Sequence, residues 1–233
     1  MLSARIILFT GMGADARLLE PQRAALNDVR VIEWLPHRDS ESLREYAARM
    51  AEAAKIEDGD IIGGASMGGM IALEAARLTR PRGVILIGSC RSPDALTQQA
   101  RNAVRLGRLT PTLMLENLRR FAPWAIKQLG VPREEDRATL LAMADACTMS
   151  FLKWAGNAIA TWPGCADPGV PVRHIHGTRD RILSHRRAGA DTSISGAGHV
   201  PSLTHAAEVN AFISDARSAW CDGDANMAGD SGR

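Results

Sequence analysis

A serine flanked by glycines is the part of this sequence best suited to chemistry. Residues 60–72 read DIIGGASMGGMIA, so Ser66 is the central residue of a Gly-x-Ser-x-Gly motif. An apolar, strand-like run precedes the motif and a helical pattern follows it, which predicts a sharp strand-to-helix turn that exposes the hydroxyl. Such a turn requires glycine on both sides, because it brings the backbone too close to its neighbours for a Cβ atom. We interpret Ser66 as a nucleophile; the alternative is a glycine-rich turn with an incidental serine.

A serine nucleophile needs a base and an acid that orients the base, and the sequence offers a candidate for each. His199 lies in the small-residue segment GAGHVP, between the last predicted strand and the last predicted helix. Asp180 ends the segment HGTRD, which follows another predicted strand. Parallel strands would bring both segments to the edge of the sheet where Ser66 lies. Asp94 also follows a strand and is the alternative acid, although a role in the first turn of a helix explains it adequately.

A glycine loop after the first predicted strand supplies the remaining candidate groups. Residues 8–13 read LFTGMG. Such a loop, together with the residue after the serine, can provide the two backbone N–H groups of an oxyanion hole, here those of Met12 and Met67. Gly11 of the same loop is expected to contact the substrate. Glycine-rich strand ends also bind phosphate, but the sequence has no third glycine at the spacing of a dinucleotide fingerprint.

The histidines and cysteines do not indicate a metal site. His174 and His176 alternate on a predicted strand, but no third ligand stands at a suitable spacing. The four cysteines are widely separated and form no Cys-x-x-Cys pair, which argues against a zinc site and against a dense disulfide framework. The sequence therefore predicts neither a metal nor a cofactor.

Six apolar, β-rich runs alternate with helical patterns and would position these groups. Several runs are apolar almost throughout, as is typical of parallel strands that helices cover on both faces. Among the helices, Ser42 and Glu45 form a capping box at one start. The alternation predicts an α/β fold with a doubly wound, mostly parallel sheet of about six strands. The predicted strands are 5–10, 29–35, 60–63, 83–88, 172–176 and 192–195, and two further helices are predicted over 67–78 and 204–220.

Residues 91–162 break this alternation and require no strand. The triplet Ser-Pro-Asp at Ser92 has the features of a helix start, and Gly107 is expected to end that helix. Pro123 is expected to kink or split the helix that follows. The segment therefore reads as a helical insertion whose apolar side chains, Trp124 among them, partly cover the site and contact the substrate.

The predicted organisation of the chain has four parts. A first core segment, 1–90, precedes the helical lid at 91–162. A second core segment, 163–220, follows the lid after a connection rich in proline and glycine. The last residues, 221–233, are small and polar, so we predict a disordered tail.

Composition and charge narrow the class of protein. Hydrophobic residues make up 45% of the chain and charged residues 23%, which is ordinary for a globular domain. The net charge is only +2 and the basic residues are scattered, so we expect no nucleic-acid partner. The chain contains no apolar run of membrane-spanning length and begins without the pattern of a signal peptide, so we expect a cytoplasmic protein without a membrane partner. A monomer or a homodimer is expected.

These motifs together resemble those of the α/β-hydrolase family, in particular small lidded serine esterases similar to the pimeloyl-carrier-protein methyl ester esterases. The matching segments are FTGMG, GASMGG, HGTRD and GAGHVP, which span Phe9 to Pro201. The chain order serine, aspartate, histidine is also that of the family. The resemblance implies the strand order of the family and a lid inserted after the strand that ends at Gly88.

The sequence departs from the family pattern at three points. Thr10 stands where relatives usually have a histidine before the oxyanion glycine. Only 19 positions separate Asp180 from His199, so the helix that usually lies between them must be short or missing. The chain begins directly at the strand before the oxyanion loop, which implies about six parallel strands without the family's first hairpin.

Three hypotheses on function follow. The first is a serine hydrolase that cleaves a carboxylic ester of a small to medium, largely apolar acyl group through an acyl-enzyme intermediate. The second keeps the same three residues but cleaves a C–C bond or eliminates pyruvate; an acidic substrate could then be bound by Arg91, Arg101 or Arg105. The third is a non-catalytic ligand-binding protein on the same fold.

Overall fold

A computed structural model describes residues 4–230, and it contains a single six-stranded sheet in that part of the chain. All strand pairs are parallel and the strand order is β2-β1-β3-β4-β5-β6. The α/β, doubly wound prediction of about six strands is therefore confirmed. The strands are β1 Ile6–Phe9, β2 Val29–Ile32, β3 Ile61–Ala65, β4 Gly83–Ile87, β5 Val172–Gly177 and β6 Thr192–Ile194.

Helices cover both faces of this sheet. Alternate residues of β1 belong to different cores: Ile7 and Phe9 pack in the cluster that contains Tyr46, whereas Ile6 and Leu8 pack in the cluster that contains Phe212. The side-chain alternation of a strand explains this division. The helices are α1 Glu20–Ala25, α2 Leu43–Ala54, α3 Met67–Thr79, α4 Gln98–Leu109, α5 Thr112–Glu116, α6 Ala122–Gln128, α7 Glu134–Ala146, α8 Met149–Thr161, α9 His185–Ala188, α10 Pro201–Thr204 and α11 Ala206–Asp230.

The capping box predicted from the sequence is present at the start of α2. The Ser42 hydroxyl accepts a hydrogen bond from the Glu45 N–H, and the Glu45 carboxylate accepts one from the Ser42 N–H at 2.8 Å. Two orphan N–H groups of the helix start are thus satisfied by each other's side chains. The helix lays Leu43, Tyr46 and Met50 against the sheet, at the spacing that the sequence predicts.

Five helices, α4 to α8, lie between β4 and β5 and form the helical insertion. Its first predicted helix is wrong in detail: the Ser-Pro-Asp triplet at Ser92 begins only one 3₁₀ turn, and α4 starts later, capped by Thr97. Gly107 does not end α4, which continues to Leu109. Pro123 acts as expected, because it lies in the first turn of α6 and separates it from the preceding 3₁₀ segment.

The last helix differs from the prediction for the C-terminal end. It runs to Asp230, whereas the sequence predicts a helix ending at 220 and a disordered tail over 221–233. Packed residues such as Val209 and Ile213 anchor the first half of α11. Propagation then adds one hydrogen bond per residue fixed, and no proline interrupts it. The final three residues, 231–233, lie outside the described range.

Candidate active site

Ser66 occupies a strained turn between β3 and α3. Its φ of 51° and ψ of −118° place an L-residue in a sparsely populated conformation. Glycines make this turn possible: a Cβ atom on Gly64 would lie 2.4 Å, and one on Gly68 2.2 Å, from the carbonyl oxygen of Phe9. The Ser66 N–H donates to the Ile87 carbonyl at 3.0 Å, so the neighbouring strand β4 fixes the turn. The sharp strand-to-helix turn predicted from the sequence is therefore present.

His199 approaches Ser66 from the loop after β6. Its Nε2 lies 3.0 Å from the Ser66 Oγ, and the side chain is largely buried. The backbone N–H of His199 donates to the carbonyl of Leu129 at 2.8 Å, which ties the loop to the helical insertion. The structure thus brings together two residues that are 133 positions apart in the sequence.

Asp180 lies behind the imidazole and holds its other nitrogen. The Asp180 Oδ2 is 2.7 Å from the His199 Nδ1, while Oδ1 accepts hydrogen bonds from the N–H groups of Ile182 and Leu183 at 2.7 and 2.9 Å. Burial raises the pKa of Asp180, but the nearby His199 charge and hydrogen bonds from His176 and His199 outweigh it and hold the pKa well below its usual range. The carboxylate is therefore ionised at neutral pH.

The alternative acid, Asp94, lies elsewhere. Its side chain is 87% exposed and accepts a hydrogen bond from the Ser92 hydroxyl at 3.3 Å. The Asp180–His199 connection is short, as expected: between these residues the chain forms only the four-residue α9 and the three-residue β6. Of the two carboxylates, Asp180 is the one in contact with the imidazole.

The two residues predicted to supply oxyanion N–H groups, Met67 and Met12, lie at the start of α3 and in the loop after β1. Met67 is the first residue of α3, so its N–H has no acceptor within the helix and points from the positive end of the helix dipole. Met12 follows Gly11 in the loop after β1, and both residues line the cavity that contains Ser66. The hydroxyl of the buried Thr10 donates to the Ala14 carbonyl at 3.2 Å, which closes this loop.

A cavity of about 420 Å³ opens onto Ser66 and His199. No charged side chain lines it in the described part of the chain, and its walls are otherwise glycine, alanine and larger apolar residues. The insertion contributes most of the roof, from α4, α6, α7 and α8. The lining residues from these helices are Ala100, Ala103, Val104, Ala125, Ile126, Leu140, Ala144, Leu152, Gly156 and Ile159.

Of the two residues predicted to contact the substrate, one lies at the cavity and the other does not. Gly11 lines the cavity, but Trp124 does not and is 64% exposed. The short helix α6 turns Ala125 and Ile126 inward, which leaves the neighbouring Trp124 on the outer side. Sequence reasoning missed Ala100, which lines the cavity with Ala103 and Val104; the i, i+3, i+4 spacing of small apolar residues was the available signal.

His176 is a further residue whose position the sequence did not indicate. Its Nε2 lies 3.0 Å from Asp180 Oδ2, so two imidazoles share one carboxylate oxygen. Among residues 4–230, no group of three or more histidine, cysteine, aspartate or glutamate side chains is arranged to hold a metal ion. In the same range, none of the helices combines the length and the hydropathy that crossing a membrane requires.

The family of the chain follows from comparison with known proteins. A family model described as the alpha/beta hydrolase family matches residues 5–212. The chain belongs to the α/β-hydrolase family. Among curated proteins, none matches the sequence.

Solved structures of similar fold are numerous at low sequence identity. An esterase from Thermogutta terrifontis is 20% identical, with a TM-score of 0.71 over 93% of this chain and 90% of that one. The N-acyl homoserine lactonase AidH, complexed with N-hexanoyl homoserine lactone, is 18% identical, with a TM-score of 0.73 over 91% and 89% of the two chains. An esterase from Exiguobacterium antarcticum is 15% identical, with a TM-score of 0.70 over 93% of each chain. At these identities the likeness concerns the fold.

Proposed function

We propose that this α/β-hydrolase is a serine esterase that cleaves carboxylic esters of small to medium, largely apolar acyl groups through an acyl-enzyme intermediate. One observation carries the proposal: the continuous hydrogen-bonded chain from Asp180 through His199 to Ser66 ends in an apolar cavity. A base 3.0 Å from a hydroxyl, with its own second nitrogen held by a carboxylate, is the arrangement that activates a serine.

In the proposed mechanism each group acts through a defined atom. His199 Nε2 takes the proton of the Ser66 hydroxyl as Oγ attacks the ester carbonyl, and Asp180 stabilises the imidazolium that forms. The N–H groups of Met12 and Met67 bind the developing oxyanion. His199 then gives the proton to the departing alkoxide oxygen, which leaves an acyl group on Ser66. Water, deprotonated by the same imidazole, hydrolyses this acyl-enzyme and restores the free serine.

The walls of the cavity favour a neutral, apolar acyl group. Each methylene that moves from water into such a cavity contributes about 0.8 kcal/mol, whereas an unpaired charge there would be strongly disfavoured. The helical segment 91–162 serves in this proposal as a lid, because it forms most of the cavity roof. We propose that segments 1–90 and 163–220 form the core of the fold and that the lid lies between them in the sequence.

The alternative reactions have less support. Cleavage of a C–C bond or elimination of pyruvate from an acidic substrate would need a cation in the cavity. None of Arg91, Arg101 and Arg105 is among its lining residues. A ligand-binding protein would have no need for the strained φ of Ser66, since strain of this kind persists only where the surroundings enforce it.

Labelling with a fluorophosphonate probe tests the nucleophile. The wild-type protein should be labelled, and the Ser66→Ala and His199→Gln variants should not; Ser150→Ala, which changes an exposed serine of the insertion, is the matched control. Absence of label on the wild type, or label on Ser66→Ala, would refute the proposal. Hydrolysis of p-nitrophenyl acetate, butyrate, octanoate and palmitate then tests the acyl group, and kcat/KM should fall for palmitate. A rate that rises steadily into palmitate would contradict the predicted size limit.

A further inference from the structure

Two buried histidines behind Asp180 take no part in the chemistry proposed above. His174 and His176 lie on β5, two residues apart and hence on one face of the strand, and both side chains are fully enclosed. A buried imidazole needs hydrogen-bond partners, because an unsatisfied polar group in the interior destabilises the fold. The partners of this pair lead directly to the acid that holds His199.

The contacts form a line that ends at Asp180. His174 Nε2 lies 3.2 Å from His176 Nδ1, and His176 Nε2 lies 3.0 Å from Asp180 Oδ2 and 3.3 Å from the Leu183 carbonyl oxygen. Asp180 Oδ2 is also the oxygen that faces His199 Nδ1 at 2.7 Å. One carboxylate oxygen therefore lies between two imidazoles.

The chemistry of the partners fixes where the hydrogens are. Both groups near His176 Nε2 are acceptors, so this nitrogen carries a hydrogen and donates it. In a neutral His176 the Nδ1 then accepts, and His174 Nε2 is its donor. His174 Nδ1 makes no hydrogen bond of good geometry among the described residues, although the Ala188 backbone lies near this ring. Burial lowers the pKa of His174 to about 3, so this ring is neutral at physiological pH.

This line of donors constrains Asp180 at the oxygen that matters for the base. The N–H groups of Ile182 and Leu183 hold Oδ1, so Oδ2 is the oxygen that faces both imidazoles. The His176 ring beside Oδ2 holds this oxygen between two imidazoles and draws part of its negative charge away from His199. A carboxylate oxygen that is shared in this way stabilises the imidazolium of His199 less than an unshared one would.

We infer that His176 is a positioning residue for the proposed esterase: through its close contact with Asp180 Oδ2 it orients the acid and shares the negative charge that faces His199. The inference rests on the proposed function, since it assigns His199 the role of base. Several charged and titratable groups lie around His176 and its neighbour His174. They are Asp180, His174, His185 at 6.1 Å between ring centres, Cys90 near Asp180, and Arg91 and Asp191 near His174.

Three substitutions of His176 test the inference. In His176→Gln the side-chain amide nitrogen takes the place of Nε2 and can still donate to Asp180. In His176→Leu the donor is lost, and in His176→Asn the shorter amide reaches only the position of Nδ1, beside His174. The Asn variant keeps the test open if the Leu variant does not fold. His185→Gln is the matched control, because it removes a neighbouring imidazole that does not contact Asp180.

The readouts are kcat, KM and the pH dependence of kcat/KM for p-nitrophenyl butyrate, with a thermal melt for each variant. The acidic limb of kcat/KM reports the base of the free enzyme. In the Leu and Asn variants Asp180 acts on His199 alone, so the limb should move to higher pH and kcat should fall about tenfold, the effect of losing a hydrogen bond to a charged group, with KM unchanged. The Gln variant and His185→Gln should keep the wild-type limb.

The outcomes separate the inference from the proposed function. If the wild type hydrolyses the ester and both donor-free variants keep its acidic limb, His176 does not position the acid and the esterase proposal stands. A merely structural role would lower the melting temperature in all His176 variants without moving the limb, and this result also overturns the inference. If the wild type is neither labelled nor active, the proposed function fails first.

Discussion

Gly156 of α8 offers a direct way to measure how far an acyl chain reaches into the cavity. The residue lies in the middle of a helix and lines the cavity wall beside Val104. A Cβ atom added at Gly156 would have its nearest contact, Val104 Cγ2, at 3.8 Å, which is ordinary van der Waals distance. A Cβ atom can therefore be introduced here without a clash. Because glycine is a poor helix former, Gly156→Val should leave the stability of the helix unchanged or slightly higher.

The size of the effect follows from the volume that the new side chain occupies. Valine adds three carbon atoms, which would take the place of about three methylene groups of a bound acyl chain. At about 0.8 kcal/mol per buried methylene, long esters lose about 2.4 kcal/mol of transition-state stabilisation. This corresponds to a decrease in kcat/KM of about 60-fold, since each 1.36 kcal/mol is a factor of ten. An acetate ester does not reach the new side chain and keeps its rate.

The assay is the ratio of kcat/KM for p-nitrophenyl octanoate to that for the acetate, in the wild type and in Gly156→Val. Gly107→Val is the matched control: Gly107 is also in a helix of the insertion, is not a lining residue, and has no heavy atom within 4 Å of an added Cβ. The ratio should drop only in Gly156→Val. An unchanged ratio there, or an equal drop in the control, would show that acyl chains do not run past α8.

Three further substitutions have outcomes set by the structure. Gly68→Ala should abolish labelling and lower the melting temperature markedly, because the new Cβ would lie 2.2 Å from the Phe9 carbonyl oxygen. Asp180→Asn should lose stability, measured by urea unfolding, mainly at neutral pH: a lowered folded-state pKa stabilises the wild type above about pH 3.9, and this advantage is lost as the pH falls through the folded-state pKa. Gly198→Ala should lower kcat more than Gly107→Ala, because its Cβ would meet a carbonyl oxygen of the insertion at 2.1 Å, whereas a Cβ at Gly107 has no heavy atom within 4 Å.

Local patterns were sufficient to predict the core of the fold. The strands β1, β3 and β4 are short apolar runs and α2 begins at a capping box, so sequence neighbours determine these elements. The insertion shows where this reasoning stops. The helix start at Ser92 is locally strong, but Thr97 N–H donates to the Ile182 carbonyl and Ser184 N–H to the Ala95 carbonyl. Pairing with a segment nearly ninety residues away holds the chain extended, and α4 begins only after it.

The same distinction applies to the candidate site. Ser66, Asp180 and His199 each stand at the end of a strand in a recognisable segment, and parallel strands bring such ends together whatever lies between them. Trp124 lacks any such constraint, because a seven-residue helix of mixed polarity does not reveal which side faces inward. The contact of His176 with Asp180 was also beyond prediction, since it depends on how the chain turns after β5.

A backbone hydrogen bond connects the helical insertion to the loop that carries the candidate base, and it should affect the turnover of large substrates. The carbonyl of Leu129, just after α6, accepts the backbone N–H of His199, while Ala125 and Ile126 of α6 form part of the cavity wall. A substrate that pushes α6 outward therefore displaces the loop that carries the imidazole. Because a base displaced by even an ångström loses much of its effect, oversized esters should be penalised in kcat as well as in binding. Size selection in this enzyme would then reside in the geometry of catalysis and in the volume of the cavity together.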